Sequence, residues 1–543
     1  MDPRMRPGHL PRRLWAVAGL RSAESSASLP PTSTPTDRIA RAGFGRDRPM
    51  HRRITVLIVA LAVLASATAA ARPLTLESFL SRVRAGNPRF PAEDLTPEIE
   101  RARRDALRAE RDWRLSARGG WAYREPITVT PFAPDRVTEV DLGSTLRREL
   151  WSTGGRLDVD VSAQWTDQEV PPVEFPAPGG TQSIETGADA LWRNGVALRY
   201  AQPLLRNRGG ALDRLESEVA AHGVDASAFE ARERQEALLL RLGLEYVAWA
   251  RWHAFVGIAE DRLRVAERQL DLVRELRESN LVDRVDLLRA EAARAAARRG
   301  LSTARAELRG QTAALATLAR IEELSTRRPA IALTDSVALE DRDGVVSALR
   351  TGARQLRVFD ARIDAMRLRR EGADATRAPS LDLDLGLGLR GGDRDDAAAA
   401  WELDAPDASV ALVFRQALGA GRAEAETEAA DLSLRRLHHR RQEVELDLRA
   451  EVARRRAQLH GLADALALHD EQVEAAEEAE AAERELYREG RSPLTFVLEA
   501  QDATEAARRA RIETGARYHT VLLRYREVVD DLLTEPVAEE GES

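Results

Sequence analysis

Two stretches of the chain repeat one another. One is Glu278-Ser279-Asn280-Leu281-Val282-Asp283-Arg284-Val285-Asp286-Leu287-Leu288-Arg289-Ala290-Glu291; the other is Arg488-Glu489-Gly490-Arg491-Ser492-Pro493-Leu494-Thr495-Phe496-Val497-Leu498-Glu499-Ala500-Gln501. Each lies between a very long helical pattern and a second helical pattern. A duplication on this scale predicts one body built from two similar halves.

The helical patterns set the scale. Gly210 to about Ser279 holds no proline and is rich in helix formers, which predicts a helix roughly 105 Å long at 1.5 Å per residue. Within it Ala259, Leu263, Ala266, Leu270 and Val273 follow the 4-3-4-3 spacing of a coiled-coil seam. A return helix is expected from about Asp283 to Leu324, with Leu301, Ala304, Leu308, Leu315 and Leu318 along its seam. Gly421 to about Arg488 repeats the plan, and Ser492-Pro493 reads as an N-cap followed by proline at the first helical position. Helices of this length are not stable alone in water, so the four should form a long antiparallel bundle.

Shorter elements precede each hairpin. Leu74 to Asn87 reads as an amphipathic helix and Thr96 to Leu115 as a second; Ser336 to Arg350 and Arg354 to Ala375 are their counterparts in the other half. Between these and the long helices the period changes to two. Val140 and Leu142, then Leu157, Val159 and Val161, then Val196, Leu198 and Tyr200 alternate within residues 116–202. Leu381, Leu383, Leu385 and Leu387 do the same in Ser380 to Leu389, and Ser409 to Phe414 is a further strand, within 380–416. Thr153-Gly154-Gly155 marks a turn, and Pro171 to Gly180 reads as an exposed loop. Two or three strands per half cannot close a barrel from one chain, so closure calls for an oligomer.

Composition narrows the function classes. Aromatic residues are 5% and charged residues 31% of the 543 positions, and mean hydropathy is -0.39, as in long helices and coiled coils. The formal charge of -8 comes from interleaved acidic residues and arginines, with no basic patch for nucleic acid. Absence of cysteine excludes disulfides, thiolate metal sites and thiol nucleophiles. The pair His438-His439 reads as a solvated helix face, since adjacent helical residues diverge. No metal site, cofactor or enzymatic motif is expected.

Met50 to Ala71 has the form of a secretory signal. His51, Arg52 and Arg53 precede the apolar run Ile54 to Leu64, and Ala67-Thr68-Ala69 or Ala69-Ala70-Ala71 supplies a cleavage site. Met1 to Pro49 lacks periodicity and reads as a disordered or mis-annotated extension, with Met50 a candidate start. No later segment is long and apolar enough to span a bilayer as a helix, so a membrane role would need a β-barrel.

With these features in place, the chain resembles the TolC-type outer-membrane efflux family. The markers are Leu74-Thr75-Leu76-Glu77 with Asn87-Pro88, the junction Gln202-Pro203-Leu204-Leu205-Arg206, and Gly490 through Gln501, in that order. The resemblance implies a mainly α fold in which duplicated helical hairpins form an α-barrel tunnel. Short strands would contribute to a β-barrel, shared by a homotrimer in outer-membrane lipid. It divides the chain into a first repeat, 72–330 (hairpin 210–324), a second, 331–535 (hairpin 421–533), and an acidic tail, 536–543. Function would be that of a duct in a tripartite efflux or type I secretion system, with a periplasmic adaptor and an inner-membrane pump as partners in a Gram-negative cell. A secreted periplasmic coiled-coil scaffold without a pore is the alternative.

The resemblance also suggests where a gate would lie. Asp286 falls at a gating aspartate, Tyr487 at a tyrosine that bonds the same region in the closed state, and Glu499 at one aspartate of a constriction ring. Phe496 occupies the other ring position, and Ser492, with Arg491 beside it, replaces an arginine that ties the gate. Ser279, Asn280 and Leu281, with Glu489 and Gly490, match the adaptor-docking turns. First-turn carboxylates also serve as dipole or capping residues, and tip residues as simple turn formers. The segment 139–165 has no place in the family's simplest pattern: it reads either as an extension of the barrel strands beyond the membrane or as an added surface hairpin.

Overall fold

The computed structural model describes residues 73–127, 133–184, 190–419 and 421–533. The expected extension 1–49, signal segment 50–71 and tail 536–543 lie outside these.

A short strand β1 (Pro73–Leu74) leads into helices α1 (Leu76–Gly86) and α2 (Arg89–Arg108). Thr75 caps α1 by accepting from the Ser78 amide at 3.2 Å. Helix α2 begins earlier than the periodicity suggests, at residue 89 against 96, and runs through Pro97. Strands β2 (Arg114–Arg124), β3 (Arg136–Leu150) and β4 (Gly155–Glu169) follow. A small hairpin, β5 (Val173–Ala177) and β6 (Gly180–Ile184), precedes β7 (Leu191–Pro203). The first long hairpin is α3 (Ala211–Glu278) and α4 (Arg284–Ala319). Strand β8 (Arg328–Pro329), helices α5 (Arg342–Gly352) and α6 (Arg354–Ala375), and strands β9 (Ser380–Asp393) and β10 (Ala405–Arg415) open the second half. It closes with α7 (Gly421–Arg488) and α8 (Leu494–Val528).

The duplication is metrical. Helices α3 and α7 have 68 residues each, and both boundaries of α7 lie 210 positions after those of α3 (421 against 211, 488 against 278). Each spans about 102 Å. The return helices α4 and α8 have 36 and 35 residues, so they flank only the tip-proximal half of their partners. On the other half α3 is flanked by α2 and α6: Arg234 meets Glu93 at 2.6 Å, and Arg362 meets Glu230 at 2.5 Å.

Midway along the bundle, the parallel pair β1–β8 and two tyrosines tie loops to helices. Tyr246, fully buried, donates from its hydroxyl to the Leu74 carbonyl at 2.5 Å and accepts from the Ala330 amide at 3.2 Å. Around it pack Phe79, Val83, Trp249, Leu315 and Leu324. Tyr518 does the equivalent in the second half, accepting from the Val337 amide at 2.8 Å, within a core of Val345, Leu349, Leu356, Val452 and Leu459.

Nearby, His519 on α8 is held through Nε2 to the Ala332 carbonyl at 3.1 Å, and burial pushes its pKa below the ordinary 6.5. A histidine with a depressed folded pKa charges more readily in the unfolded chain. Its contribution is therefore complete above about pH 6.5 and is lost as pH falls towards the folded value. Thermal unfolding followed between pH 7.5 and 5 should show Tm falling below 6.5. The fall should be shallower in His519→Gln.

The strands correct the expected count. Six strands form one antiparallel sheet in the order β10-β9-β7-β4-β3-β2, four from the first half and two from the second. Segment 139–165 lies within this sheet. It is β3 and β4, 15 residues each, paired to β2 on one side and to β7 on the other. The expected exposed loop 171–180 carries the hairpin β5–β6.

The turn joining β3 to β4 is locked to the start of α3. Arg214 donates from Nη1 to the Trp151 and Gly209 carbonyls at 2.6 and 2.7 Å, and the Gly209 amide donates to the Thr153 carbonyl at 3.1 Å. Gly210 has φ 67°, and a Cβ on it would stand 2.1 Å from the Trp151 carbonyl oxygen. Gly210→Ala should therefore destabilise the fold by about 2–4 kcal/mol, from left-handed strain plus a backbone clash. Comparing chemical denaturation of the variant with Gly223→Ala, where nothing lies within 4 Å, checks this.

Candidate functional site: hairpin tips and sheet faces

Both tips use one turn. The amide of Leu281 donates to the Leu276 carbonyl at 2.9 Å, and that of Arg491 to Leu486 at 2.8 Å. The residue before each takes the left-handed conformation: Asn280 at φ 57° and Gly490 at φ 72°. This is a Schellman-type stop, open to Gly and Asn because other side chains crowd the backbone there. Ser279, Asn280, Leu281, Glu489, Gly490 and Arg491 are all exposed.

The start of α8 departs from expectation. Ser492 is not its N-cap; Pro493, extended at φ -76° and ψ 152°, holds that position, and the helix begins at Leu494. Ser492 Oγ instead lies 2.7 Å from Glu483 Oε2, so it fastens the turn back onto α7. Arg491 pairs with Glu489 at 3.0 Å across an exposed surface, a contact worth little in water.

Above the tips the two hairpins share a core. Leu270 and Val273 of α3, Ala290 of α4, Tyr487 of α7, and Leu494 and Val497 of α8 pack together. Tyr487 is 4% exposed, and its hydroxyl has no hydrogen-bond partner among the described residues. Burial, and secondarily the charge of Asp286, push its pKa up to about 12. Asp286, in the first turn of α4, has its carboxylate 3.5 Å from Arg289. Thus Tyr487 feels the charge of Asp286 but makes no hydrogen bond to it. Phe496 is 51% exposed and Glu499 is exposed one turn further along.

A brace lies further from the tip. Arg262 of α3, its side chain 11% exposed, donates to Gln501 Oε1 and Asp502 Oδ1 of α8, both at 2.5 Å, and lies 3.5 Å from Glu505. Gln501 was visible in sequence as part of the tip repeat. Arg262 carried no signal, because one arginine in an arginine-rich helix is indistinguishable from solvated neighbours.

The sheet has two unlike faces. One carries Leu115, Trp121 and Tyr123 of β2; Val140, Leu142 and Leu146 of β3; Leu157, Val159, Val161 and Trp165 of β4. It continues through Trp192, Val196 and Leu198 of β7, Leu381 to Leu389 in alternation on β9, and Val410, Leu412 and Phe414 of β10. Most are exposed: Leu115 at 72%, Trp121 at 69%, Leu387 at 61% and Val410 at 75%. A continuous apolar field across six strands exceeds what a soluble surface leaves in water. Trp121, Tyr123, Trp165 and Trp192 cluster at the end remote from the helices; the Trp165 and Trp192 rings are 6.2 Å apart. Such aromatics form belts at membrane interfaces.

The opposite face is polar and cross-linked. Arg147 meets Asp158 at 2.6 Å, Arg124 meets Glu139 at 3.0 Å, Arg390 meets Asp407 at 2.5 Å and Arg415 meets Asp382 at 2.9 Å. Strands of 11 to 15 residues are long enough for a tilted bilayer crossing. No helix among the described residues is long and apolar enough to cross a membrane.

A sheet with one apolar and one polar face at one end of two helical hairpins of about 100 Å is the arrangement of the TolC-type fold. The sequence comparison agrees, since the family model described as Outer membrane efflux protein matches residues 345–526. Solved structures share the fold over most of the chain. The outer-membrane channel OprN is 18% identical, with 84% of this chain and 89% of that one covered and a TM-score of 0.59. For VceC of Vibrio cholerae the figures are 14%, 84%, 95% and 0.59, and for the open MtrE channel of Neisseria gonorrhoeae 16%, 85%, 90% and 0.58. No curated protein matches the sequence. Over residues 345–526 the chain thus matches the outer membrane efflux protein model, and over most of its length it has the fold of these outer-membrane channels.

Proposed function

We propose that three copies assemble into a passive conduit. Their sheets join edge to edge as one barrel in outer-membrane lipid, and their hairpins line a periplasmic tunnel. The two-faced sheet supports this most directly. Its apolar face needs lipid, its polar face suits a water-filled lumen, and its two edges, β2 and β10, each have one side unpaired among the described residues. An unpaired edge in hydrocarbon is untenable, so the sheet has to close. The exposed tips are then the surface offered to a periplasmic adaptor beneath which an inner-membrane pump sits.

In this reading the gate is the packed seam between hairpins near the tips. Tyr487 fills it, Arg262 braces it, and Asp286 and Glu499 contribute carboxylates that threefold symmetry multiplies into rings. Phe496 replaces charge with an apolar side chain at the matching position, and Ser492 holds its turn through Glu483. The scaffold alternative has no use for an exposed apolar sheet face. Fractionation tests the choice. The protein should partition with outer membranes and leave detergent as a particle of three chains; a soluble periplasmic monomer would overturn the proposal.

A further inference from the structure

We propose that the hairpin β3–β4 is part of the membrane wall in every copy. The trimer would then close eighteen strands around a lumen about half again as wide as the internal repeat alone would build. The inference rests on the trimeric-channel reading above. By the internal symmetry β2 follows α2 as β9 follows α6, and β7 precedes α3 as β10 precedes α7. The repeat therefore supplies two strands per half, and residues 136–169 are an insertion. Three copies without it would close twelve strands.

Three observations place the insertion in the wall. Its two strands pair with each other from end to end, Arg136 to Leu150 with Glu169 to Gly155, and each pairs outward over 11 residues, Arg147 to Val137 with Arg114 to Arg124 and Arg156 to Thr166 with Ala201 to Leu191. It continues both face patterns without a break. Val140, Leu142, Leu157, Val159, Val161 and Trp165 extend the apolar face, while Asp141, Arg147, Asp158 and Asp160 join the ion-pair ladder. Its turn is locked to the α3 start by Arg214 and by glycines at 154 and 210 that admit no Cβ.

Strand direction also permits closure. The sheet is antiparallel throughout, and its six strands alternate, so β2 of one copy meets β10 of the next antiparallel. Both edge strands have 11 residues. With strands about 4.8 Å apart and tilted about 40°, eighteen give a backbone diameter of about 36 Å, against about 24 Å for twelve. Solutes leaving the tunnel thus meet a wide vestibule, and selection by size falls to the hairpin tips alone.

The absence of cysteine allows a clean test on the full chain in liposomes. Leu142→Cys and Val161→Cys place a fluorophore on the apolar face of the insertion, and Ser162→Cys and Gln164→Cys on its polar face. Leu387→Cys on β9 is the reference. With nitroxide-bearing lipid as quencher, labels at 142 and 161 should be quenched as strongly as at 387, and several-fold more than at 162 and 164. Quenching at 387 but not at 142 or 161 would put the insertion outside the bilayer and overturn the eighteen-strand wall while leaving the channel intact. No quenching at 387 would instead remove the channel reading, and this inference with it.

Discussion

Arg354→Met should cost about 3–5 kcal/mol of stability, enough to deplete the assembled protein from membranes. The guanidinium stands at the first residue of α6 among three carboxylates. It meets Glu233 at 2.9 Å and Asp530 at 3.2 Å, and also pairs with Glu236, whose side chain is 2% exposed. Glu236 accepts from the Leu532 amide at 2.9 Å, and Asp530 accepts from the Arg354 amide at 2.8 Å. One cation thus ties α3, the head of α6 and the end of α8. Removing it strands three partly buried negative charges, and their repulsion adds to the lost bonds.

Acid should rescue the variant in part. Burial already raises the Asp530 pKa in the intact protein, and Arg354 holds it down, so removing the guanidinium raises it further. Carboxyls with raised folded pKa stabilise while protonated and lose that contribution as pH climbs through the folded value. Arg354→Met should therefore be more stable at pH 5 than at pH 8, measured by thermal unfolding in detergent. A loss below about 1 kcal/mol, or no gain in acid, would show that the cluster is solvated.

Arg262→Ala should loosen the gate. Hydrogen bonds to charged groups contribute about 1.5–3 kcal/mol, so losing the brace to Gln501 and Asp502 shifts a closed-to-open equilibrium by roughly 10- to 100-fold. Channels of the variant should dwell in larger conductance states, with assembly retained. Tyr487 separates two ways of holding the seam. Since its hydroxyl is unpartnered among the described residues, Tyr487→Phe should conduct like the parent, whereas Tyr487→Ala opens a cavity and should conduct more. An open phenotype in Tyr487→Phe would mean that the hydroxyl, not the packed ring, keeps the gate shut. An unchanged Arg262→Ala would remove the brace from the mechanism.

Much of this was legible in the sequence because it rests on period and backbone. Proline-free runs specified α3 and α7, with a heptad seam in α3, and Asn280 and Gly490 marked turns that only a left-handed residue can make. Asp286 and Tyr487 were singled out by the family resemblance, and burial together with the Asp286 charge raises the Tyr487 pKa. The relation between them was not legible, since whether a phenol reaches a carboxylate depends on rotamers and interhelical distance. Ser492 looked like a cap because Ser-Pro usually is one, yet the carboxylate of Glu483, nine residues back, captured its hydroxyl.

Strand patterning at 139–165 was visible, but its place in the sheet was not. Alternation says which residues share a face and leaves open which neighbours a strand pairs with. Arg262 and Arg354 were hidden for a different reason. Their roles are set by burial across the fold, in a chain where arginine is everywhere.

The central claim is that this chain builds a water-filled pore closed at one end by its hairpin tips. Single-channel recording of the purified full chain in planar bilayers tests it most directly. Discrete, uniform conductance steps are expected from the parent and larger steps from Arg262→Ala. A membrane-inserted trimer that carries no ionic current in either form would contradict it.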